Sequence, residues 1–156
     1  MRLEYFEMID AVQSIDTENG VIRTESRLPE TSPVFDGHFP TYPILPGVMM
    51  LEIMNHAAGY LIYMRLKRER FVFLGGVKRA KFRRMVEPGA TIITEARIDH
   101  DGSGFFVASS SVSVDGTTTA DAEIVMIATD FPNDDLRREF ERVSSGIRWP
   151  ADMVHP

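Results

Sequence analysis

Residues 46–66 read PGVMMLEIMNHAAGYLIYMRL, the longest apolar stretch in this chain of 156 residues. The stretch is too long for an ordinary strand and is rich in Leu, Met and Ala, so it predicts one α-helix. Nearly every side of that helix is apolar, so we expect protein to surround it. Glu52, Asn55 and His56 would be costly inside a bilayer, and the stretch is therefore not interpreted as a membrane span.

Segments with strand character flank this helix on both sides. Before it, residues 6–15 and 21–28 are separated by a loop that ends in Asn19-Gly20, a pair typical of β-hairpins. After it, turn sequences bound four segments that predict an antiparallel meander: residues 71–82, 91–100, 105–114 and 118–131. One long helix must cover about six strands, so we predict an α+β fold in which a curved antiparallel sheet wraps around a single central helix.

The predicted domain spans residues 1–131, and residues 132–156 form a C-terminal extension. Five of the nine prolines lie between Pro29 and Pro46, which predicts a stiff loop without regular structure. In the extension, Asn133-Asp134-Asp135 is placed to cap a short charged helix over residues 136–143. The last dozen residues are expected to be loosely held.

Composition narrows the class of protein. The chain is 44% hydrophobic and 26% charged and has no Cys, which is typical of a globular domain and excludes disulfides and thiol nucleophiles. Its four His residues are scattered, and the motifs of nucleotide, serine-hydrolase and zinc-protease sites are absent, so we expect no cofactor and no metal. Acidic residues near the N-terminus argue against a secretory leader, so we expect a cytoplasmic protein.

Charge is distributed unevenly along the chain. The net charge is −6, yet residues 65–84 contain nine Lys and Arg residues and only one acid, Glu69. An acidic protein with one basic segment is expected to meet an acidic partner there rather than nucleic acid. The alternative is that these charges solvate a helix end and an edge strand.

The passage that carries chemistry is GHFPTYPILPGVMMLE, residues 37–52. His38 lies in the proline-rich loop and can act as a base near neutral pH. The free amides at the helix start, where Gly47 permits close approach, can stabilise charge on a carbonyl oxygen. Glu52 lies in an apolar helix, so its pKa is expected to be raised and it can hold or deliver a proton. These groups suit proton abstraction next to a carbonyl with loss of a leaving group. The alternative is that His38 braces the loop and Glu52 is a structural hydrogen-bonding residue.

This passage resembles the signature of the 3-hydroxyacyl-[acyl carrier protein] dehydratases of type II fatty acid synthesis, approximately GHFPxxPIxPGVLxLE. A second block, GVKRAKFRRMVEPG at residues 76–89, is similar to that family's ARFxRPVxPGD. The resemblance covers roughly residues 6–129, and the family has the hotdog fold. It therefore implies the same helix and sheet that the hydrophobic pattern predicts.

The resemblance implies a role for each residue of the passage. His38 would remove the α-proton of a 3-hydroxyacyl thioester, Glu52 would protonate the departing hydroxyl, and the Gly47 amide would bind the thioester carbonyl. Phe39 and Val48 would lie beside the substrate. In the family, the histidine and the glutamate that face each other belong to different subunits, so a homodimer, or a hexamer of three such dimers, is implied. The acidic acyl carrier protein would dock on Lys78, Arg79, Lys81, Arg83 and Arg84.

The chain also departs from the family pattern. His56 replaces the usual Gln four residues after the glutamate and shares its helix face, where it either tunes Glu52 or is a satisfied core histidine. Met85 replaces a usual Pro. Two other functions stay open at this point: a hotdog acyl thioesterase, which transfers the acyl group to water, and a non-catalytic subunit that binds acyl carriers. A related dehydratase that also isomerises the double bond resembles this motif with Asp at the position of Glu52.

Overall fold

A computed structural model describes residues 1–153 as one sheet around one long helix. The strands are β1 (Ala11–Asp16), β2 (Val21–Arg27), β3 (Phe71–Phe82), β4 (Thr91–Gly102), β5 (Phe105–Val114) and β6 (Thr117–Thr129). The helices are α1 (Pro33–Gly37), α2 (Gly47–Arg65) and α3 (Asp134–Ser145), with short 3-10 turns at Leu3–Tyr5 and Ala151–Met153. The predicted α+β fold is confirmed.

The long helix α2 is the centre of the core. It packs against strands β2 to β6, and its side chains at Ile53, Met54, Leu61 and Ile62 are fully buried. Burial on nearly every side follows from the continuous apolar pattern. No helix within residues 1–153 is long and apolar enough to cross a bilayer.

The six strands form one antiparallel sheet in the order β1-β2-β4-β5-β6-β3. The predicted hairpin of β1 and β2 is confirmed, but the meander is confirmed only for β4, β5 and β6. Strand β3 pairs with β6 and lies at the sheet edge, not beside β4. Residues 83–90 connect β3 to β4, and this segment is longer than a tight hairpin loop and reaches from the edge to the middle of the sheet.

The proline-rich loop contains one short helix that the sequence analysis did not predict. Ser32 caps α1 because its side chain accepts a hydrogen bond from the amide of Val34. Pro33 occupies the first helical position, where its missing N–H costs nothing and its fixed φ favours the helix. The prediction of a loop without regular structure was therefore wrong for Pro33–Gly37.

The C-terminal extension packs against the domain. The predicted cap is confirmed, since the Asn133 side chain accepts a hydrogen bond of 2.8 Å from the amide of Leu136. Residues 147–149 are also held: Ile147 is only 7% exposed, and the amide of Val12 donates to the carbonyl of Arg148 at 2.8 Å. The expectation of a loosely held end is wrong for these residues, because they pair with the start of β1. Residues 154–156, which include His155, lie outside the described residues.

Candidate active site

His38 directly follows α1 and is oriented by backbone hydrogen bonds. Its amide donates to the carbonyl of Phe35 at 3.3 Å, and its carbonyl accepts from the amide of Ile44 at 2.9 Å. The ring atom Nδ1 lies 3.1 Å from the carbonyl oxygen of Ile44. A carbonyl can only accept, so this contact assigns the proton to Nδ1. The other ring nitrogen, Nε2, is then left with a free lone pair, as a general base requires.

His38 and the start of α2 share a cavity of about 270 Å³. Its lining residues are His38, Ile44, Leu45, Gly47, Met50, Phe82, Arg83, Arg84 and Met85. Within residues 1–153, neither the amide of Gly47 nor that of Val48 has a protein acceptor. The structure thus places the His38 imidazole and the free amide of Gly47 at one cavity, and the free amide of Val48 is the next one along the helix.

Gly47 allows the Phe82 ring to pack against the helix start. A Cβ atom at this position would lie 3.2 Å from two carbons of the ring, so any larger residue would displace Phe82. Phe39 stacks on His38 with 4.2 Å between the ring centroids. Val48 is exposed, and neither Phe39 nor Val48 lines the cavity of His38.

Glu52 lies in the second turn of α2 and accepts two side-chain hydrogen bonds. Its Oε1 is 3.1 Å from Nε2 of His56, and its Oε2 accepts from the Asn55 amide at 3.1 Å. The hydrogen bond from His56 outweighs burial and lowers the pKa of Glu52 from its usual value. The expectation of a raised pKa was wrong, because it considered the apolar helix and not the hydrogen-bonding side chains beside the carboxylate.

Asn55 is the member of this group to which the sequence analysis assigned no role. Its spacing of three residues from Glu52 was the available signal, because residues three and four apart share a helix face. His56 is about as buried as Glu52 and is hydrogen bonded to it, a contact that fits both a tuning role and a satisfied core histidine.

Glu52 lines a second cavity, of about 340 Å³, that does not include His38. Its lining residues are Glu52, Asn55, His56, Gly59, Tyr60, Phe71, Val72, Phe73, Leu74, Met126 and Phe140. The two residues of the expected catalytic pair therefore lie in different cavities of one protomer. A larger cavity of about 540 Å³, lined by residues of the sheet, contains only Arg79 among the predicted site residues.

The basic residues of β3 and the segment after it differ in how their charges are compensated. Lys78 pairs with Glu123 at 2.8 Å, and Arg79 and Arg83 both pair with Asp121. Lys81 and Arg84 form no ion pair with any of the residues that the structure describes. The uncompensated positive charge is therefore concentrated at Lys81 and Arg84, and Arg84 lines the cavity of His38.

The sheet and its central helix define a hotdog-fold domain, and solved structures share this architecture. A thioesterase-like protein from Ralstonia eutropha, described as related to phenylacetic acid degradation, matches with a TM-score of 0.62 and 17% identity over 75% of this chain and 83% of its own. The E. coli PaaI protein matches with a TM-score of 0.60 and 15% identity over 76% of this chain and 78% of its own. At these identities the likeness concerns the fold alone.

Sequence comparison then identifies the family. The model of the FabA-like domain matches residues 2–123, and this chain belongs to that family. The FabZ 3-hydroxyacyl-[acyl-carrier-protein] dehydratase of Rickettsia akari is 35% identical over 127 residues, which cover 80% of this chain and 87% of the relative. The FabZ enzyme of Rickettsia bellii is 33% identical over the same coverage.

Proposed function

We propose that this protein dehydrates (3R)-3-hydroxyacyl-[acyl carrier protein] to trans-2-enoyl-[acyl carrier protein] in fatty acid or lipid biosynthesis. The observation that carries the proposal is the position of His38: its Nδ1 contacts a carbonyl, its Nε2 has no partner within residues 1–153, and its cavity includes the start of α2. The two Rickettsia relatives are 3-hydroxyacyl-[acyl-carrier-protein] dehydratases.

His38 acts as the base. Its Nε2 takes the α-proton of the thioester, and negative charge moves onto the thioester oxygen as the C–H bond breaks. The amide of Gly47 donates to that oxygen and stabilises the charge, because it has no protein acceptor of its own within residues 1–153. The C–O bond at the β-carbon then breaks, the α,β double bond forms, and the hydroxyl leaves with a proton as water.

Glu52 supplies that proton, and it acts together with His56. The carboxyl proton passes to the departing hydroxyl, and the hydrogen bond between His56 Nε2 and Glu52 Oε1 gives a path for its replacement. Asn55 holds the second carboxylate oxygen and fixes the orientation of the group. Because this contact also lowers the pKa of Glu52, the proton that Glu52 delivers is supplied through His56.

The active site is shared between two subunits of a homodimer. His38 and Glu52 line separate cavities in one protomer, which supports a site completed by Glu52 of the partner subunit. Within the described residues β3 pairs only with β6, which leaves one side of a twelve-residue strand free. Its exposed apolar side chains include Phe73 and Val77, at 38% and 41% exposure. A free, partly apolar edge strand is suited to pair with a second copy.

The proposed partner is an acyl carrier protein, which is acidic. Lys81 and Arg84 supply uncompensated positive charge, and Arg84 lies at the cavity of His38. Lys78, Arg79 and Arg83 add to the same surface, although carboxylates of β6 partly neutralise them. Attraction of this kind is weakened by salt. Localisation of the protein in the cytoplasm, and its assembly into a hexamer of three dimers, remain predictions.

The test is a product assay with a 3-hydroxyacyl thioester, in which enoyl product and free thiol are followed in parallel. We expect enoyl product without thiol from the wild type, and loss of that product in His38→Ala and Glu52→Gln. Release of thiol would indicate a thioesterase. Substrate binding without either product would indicate an acyl-binding subunit.

A further inference from the structure

Helix α3 reaches a cavity that belongs to the candidate active site, although it lies outside the part of the chain that the family model matches. That match ends at residue 123, and α3 begins at Asp134. Phe140 of α3 nevertheless lines the cavity that also contains Glu52. The extension therefore contributes a wall that the family match does not include.

Phe140 is held in place by aromatic contacts with the domain. Its ring centroid lies 4.8 Å from that of Tyr63 and 6.0 Å from that of Tyr60, both on α2. It lies 5.9 Å from the ring of Phe71 at the start of β3. Edge and tilted arrangements at these separations are favourable, so Phe140 is anchored on two elements at once.

The cavity extends along α2 away from the carboxylate of Glu52. Its lining residues on α2 occupy successive turns, from Glu52 through His56 to Tyr60. At 1.5 Å per residue this is roughly 12 Å. The Glu52 end is polar, whereas Met126 lies beside Gly59 farther along the helix and Phe71 lies beside Phe140. Because Phe140 contacts Tyr60 and Tyr63, it lies at the end farthest from Glu52.

We infer that α3 closes the far end of the acyl-chain cavity and that Phe140 sets the longest acyl chain that fits. The inference rests on the proposed function for the identity of the ligand, an acyl thioester with its reacting carbons near Glu52 and its hydrocarbon tail along α2. An apolar tail is the chemistry that this lining favours. The C-terminal extension is then a specificity element of the enzyme.

The test measures binding, so that it does not depend on turnover. Dissociation constants of butyryl-, octanoyl-, dodecanoyl- and palmitoyl-pantetheine are measured by calorimetry on the full chain. We expect wild-type affinity to rise with chain length and then to fall at a limiting length. In Phe140→Ala the limit moves to longer chains, and affinity for the palmitoyl compound relative to the butyryl compound rises about tenfold.

Phe131→Ala is the matched control. Phe131 packs on Phe71 and on Phe140 at centroid distances of 5.7 and 6.1 Å, but it does not line the cavity. The control loses a comparable aromatic contact and should keep the wild-type limit. Gly59→Ala is expected to move the limit to shorter chains, because Gly59 lines the cavity and its added methyl group would lie 3.5 Å from Met126 Cε.

Three results would overturn the inference: equal shifts in Phe140→Ala and Phe131→Ala, a wild type without a length limit, or no binding of any acyl-pantetheine. A different result concerns the proposed function alone. Suppose that the wild type binds these compounds with a length limit set by Phe140 but forms no enoyl product from a 3-hydroxyacyl thioester. The role of Phe140 at the end of the cavity is then confirmed, and the dehydratase proposal fails.

Discussion

His38 and Glu52 both belong to residues 37–52, but they line different cavities and their side chains are oriented by different kinds of contact. His38 is oriented by the backbone, through its contact with the Ile44 carbonyl. Glu52 is oriented by side chains, since both of its hydrogen-bond partners, Asn55 and His56, come from the next turn of α2. The orientation of His38 depends on the path of the loop, and that of Glu52 depends on two side chains that can be replaced by mutation.

The surroundings of His38 therefore control its position, whereas the surroundings of Glu52 control its protonation state. The geometry of His38 follows from the closely spaced prolines and from the hydrogen bond between the amide of Leu45 and the carbonyl of Val86, which ties the loop to the connection after β3. The protonation of Glu52 follows from His56, which lowers the pKa of the carboxylate. Substitutions near His38 should therefore change rate through geometry, whereas substitutions near Glu52 should change the pH dependence.

The largest expected effect tests whether the two cavities work as one site across subunits. His38→Ala and Glu52→Gln should each lower kcat by about 10²–10⁴-fold, because each removes a proton-transfer group. When the two inactive variants are unfolded together and refolded, mixed dimers contain one intact pair. We expect recovery of about one quarter of wild-type activity for random pairing in a two-fold symmetric dimer.

Each variant refolded alone is the control and should stay inactive. Size-exclusion chromatography checks that all samples contain dimers in equal amounts. Activity that does not return on mixing would mean that His38 and Glu52 of the same chain serve one site, and the proposal of a shared site would fail.

A substitution at the helix start tests how sensitive the cavity of His38 is to geometry. In Gly47→Ala the new methyl group would lie 3.2 Å from the Phe82 ring, so the ring and the helix start must shift. We expect kcat/KM to fall roughly tenfold to a hundredfold, because small displacements of positioned groups are costly in catalysis. Gly37→Ala is the control, since a Cβ there meets no atom within 4 Å, and equal losses in both variants would contradict the prediction.

The fold was largely predictable from the sequence, because its main signals are local. Helix α2 is apolar on nearly every side, and the turn sequences around Pro88-Gly89 and Asp115-Gly116 bound the strands. The position of β3 was not predictable in the same way. Its pairing with β6 is a contact between residues far apart in the chain, and no local pattern distinguishes an edge strand beside β6 from one beside β4.

The sequence grouped several residues of the candidate site, but it indicated neither their electrostatics nor the full lining of the two cavities. The spacing of His38, Gly47 and Glu52 indicated the chemistry, and the structure places His38 and Gly47 in one cavity. The direction of the Glu52 pKa was wrong, because it depends on a side-chain hydrogen bond rather than on the apolar pattern of the helix. Phe140 could not be assigned from the sequence, because its role depends on where α3 packs.

Charge at the mouth of the His38 cavity should affect the carrier and not the chemistry. We expect the double variant Lys81→Glu and Arg84→Glu to raise KM for a carrier-bound substrate roughly fivefold at low salt, because it reverses the uncompensated charge. The KM for the pantetheine thioester should not change. Lys78→Gln should raise the KM for the carrier-bound substrate less, since Lys78 is already paired with Glu123 at 2.8 Å. A loss that is equal for both substrates would indicate damage to the site instead of docking.

The cavity of Glu52 is tested by the pH dependence of kcat in His56→Leu. Removing the hydrogen bond from His56 removes the main cause of the lowered pKa, so the pKa of Glu52 rises. The acid must be protonated to act, so activity is present below that pKa and is lost above it. The alkaline limb should therefore move to higher pH, and less so in His56→Gln, which retains a neutral donor. A limb that stays in place in His56→Leu would rule out tuning by His56.

The smallest expected effect is on stability, and it is measured by replacing one glycine from each cavity with alanine. Gly59→Ala should raise the free energy of unfolding by about 0.5–1 kcal/mol, because Ala lowers the conformational entropy of the unfolded chain and favours a helix interior. The added methyl group meets Met126 Cε at an ordinary 3.5 Å, whereas the one in Gly47→Ala is forced against Phe82 at 3.2 Å and should give no such gain. Urea denaturation measures both variants. A loss of stability in Gly59→Ala would mean that the Glu52 cavity is as tightly packed at this point as the helix start is at Gly47.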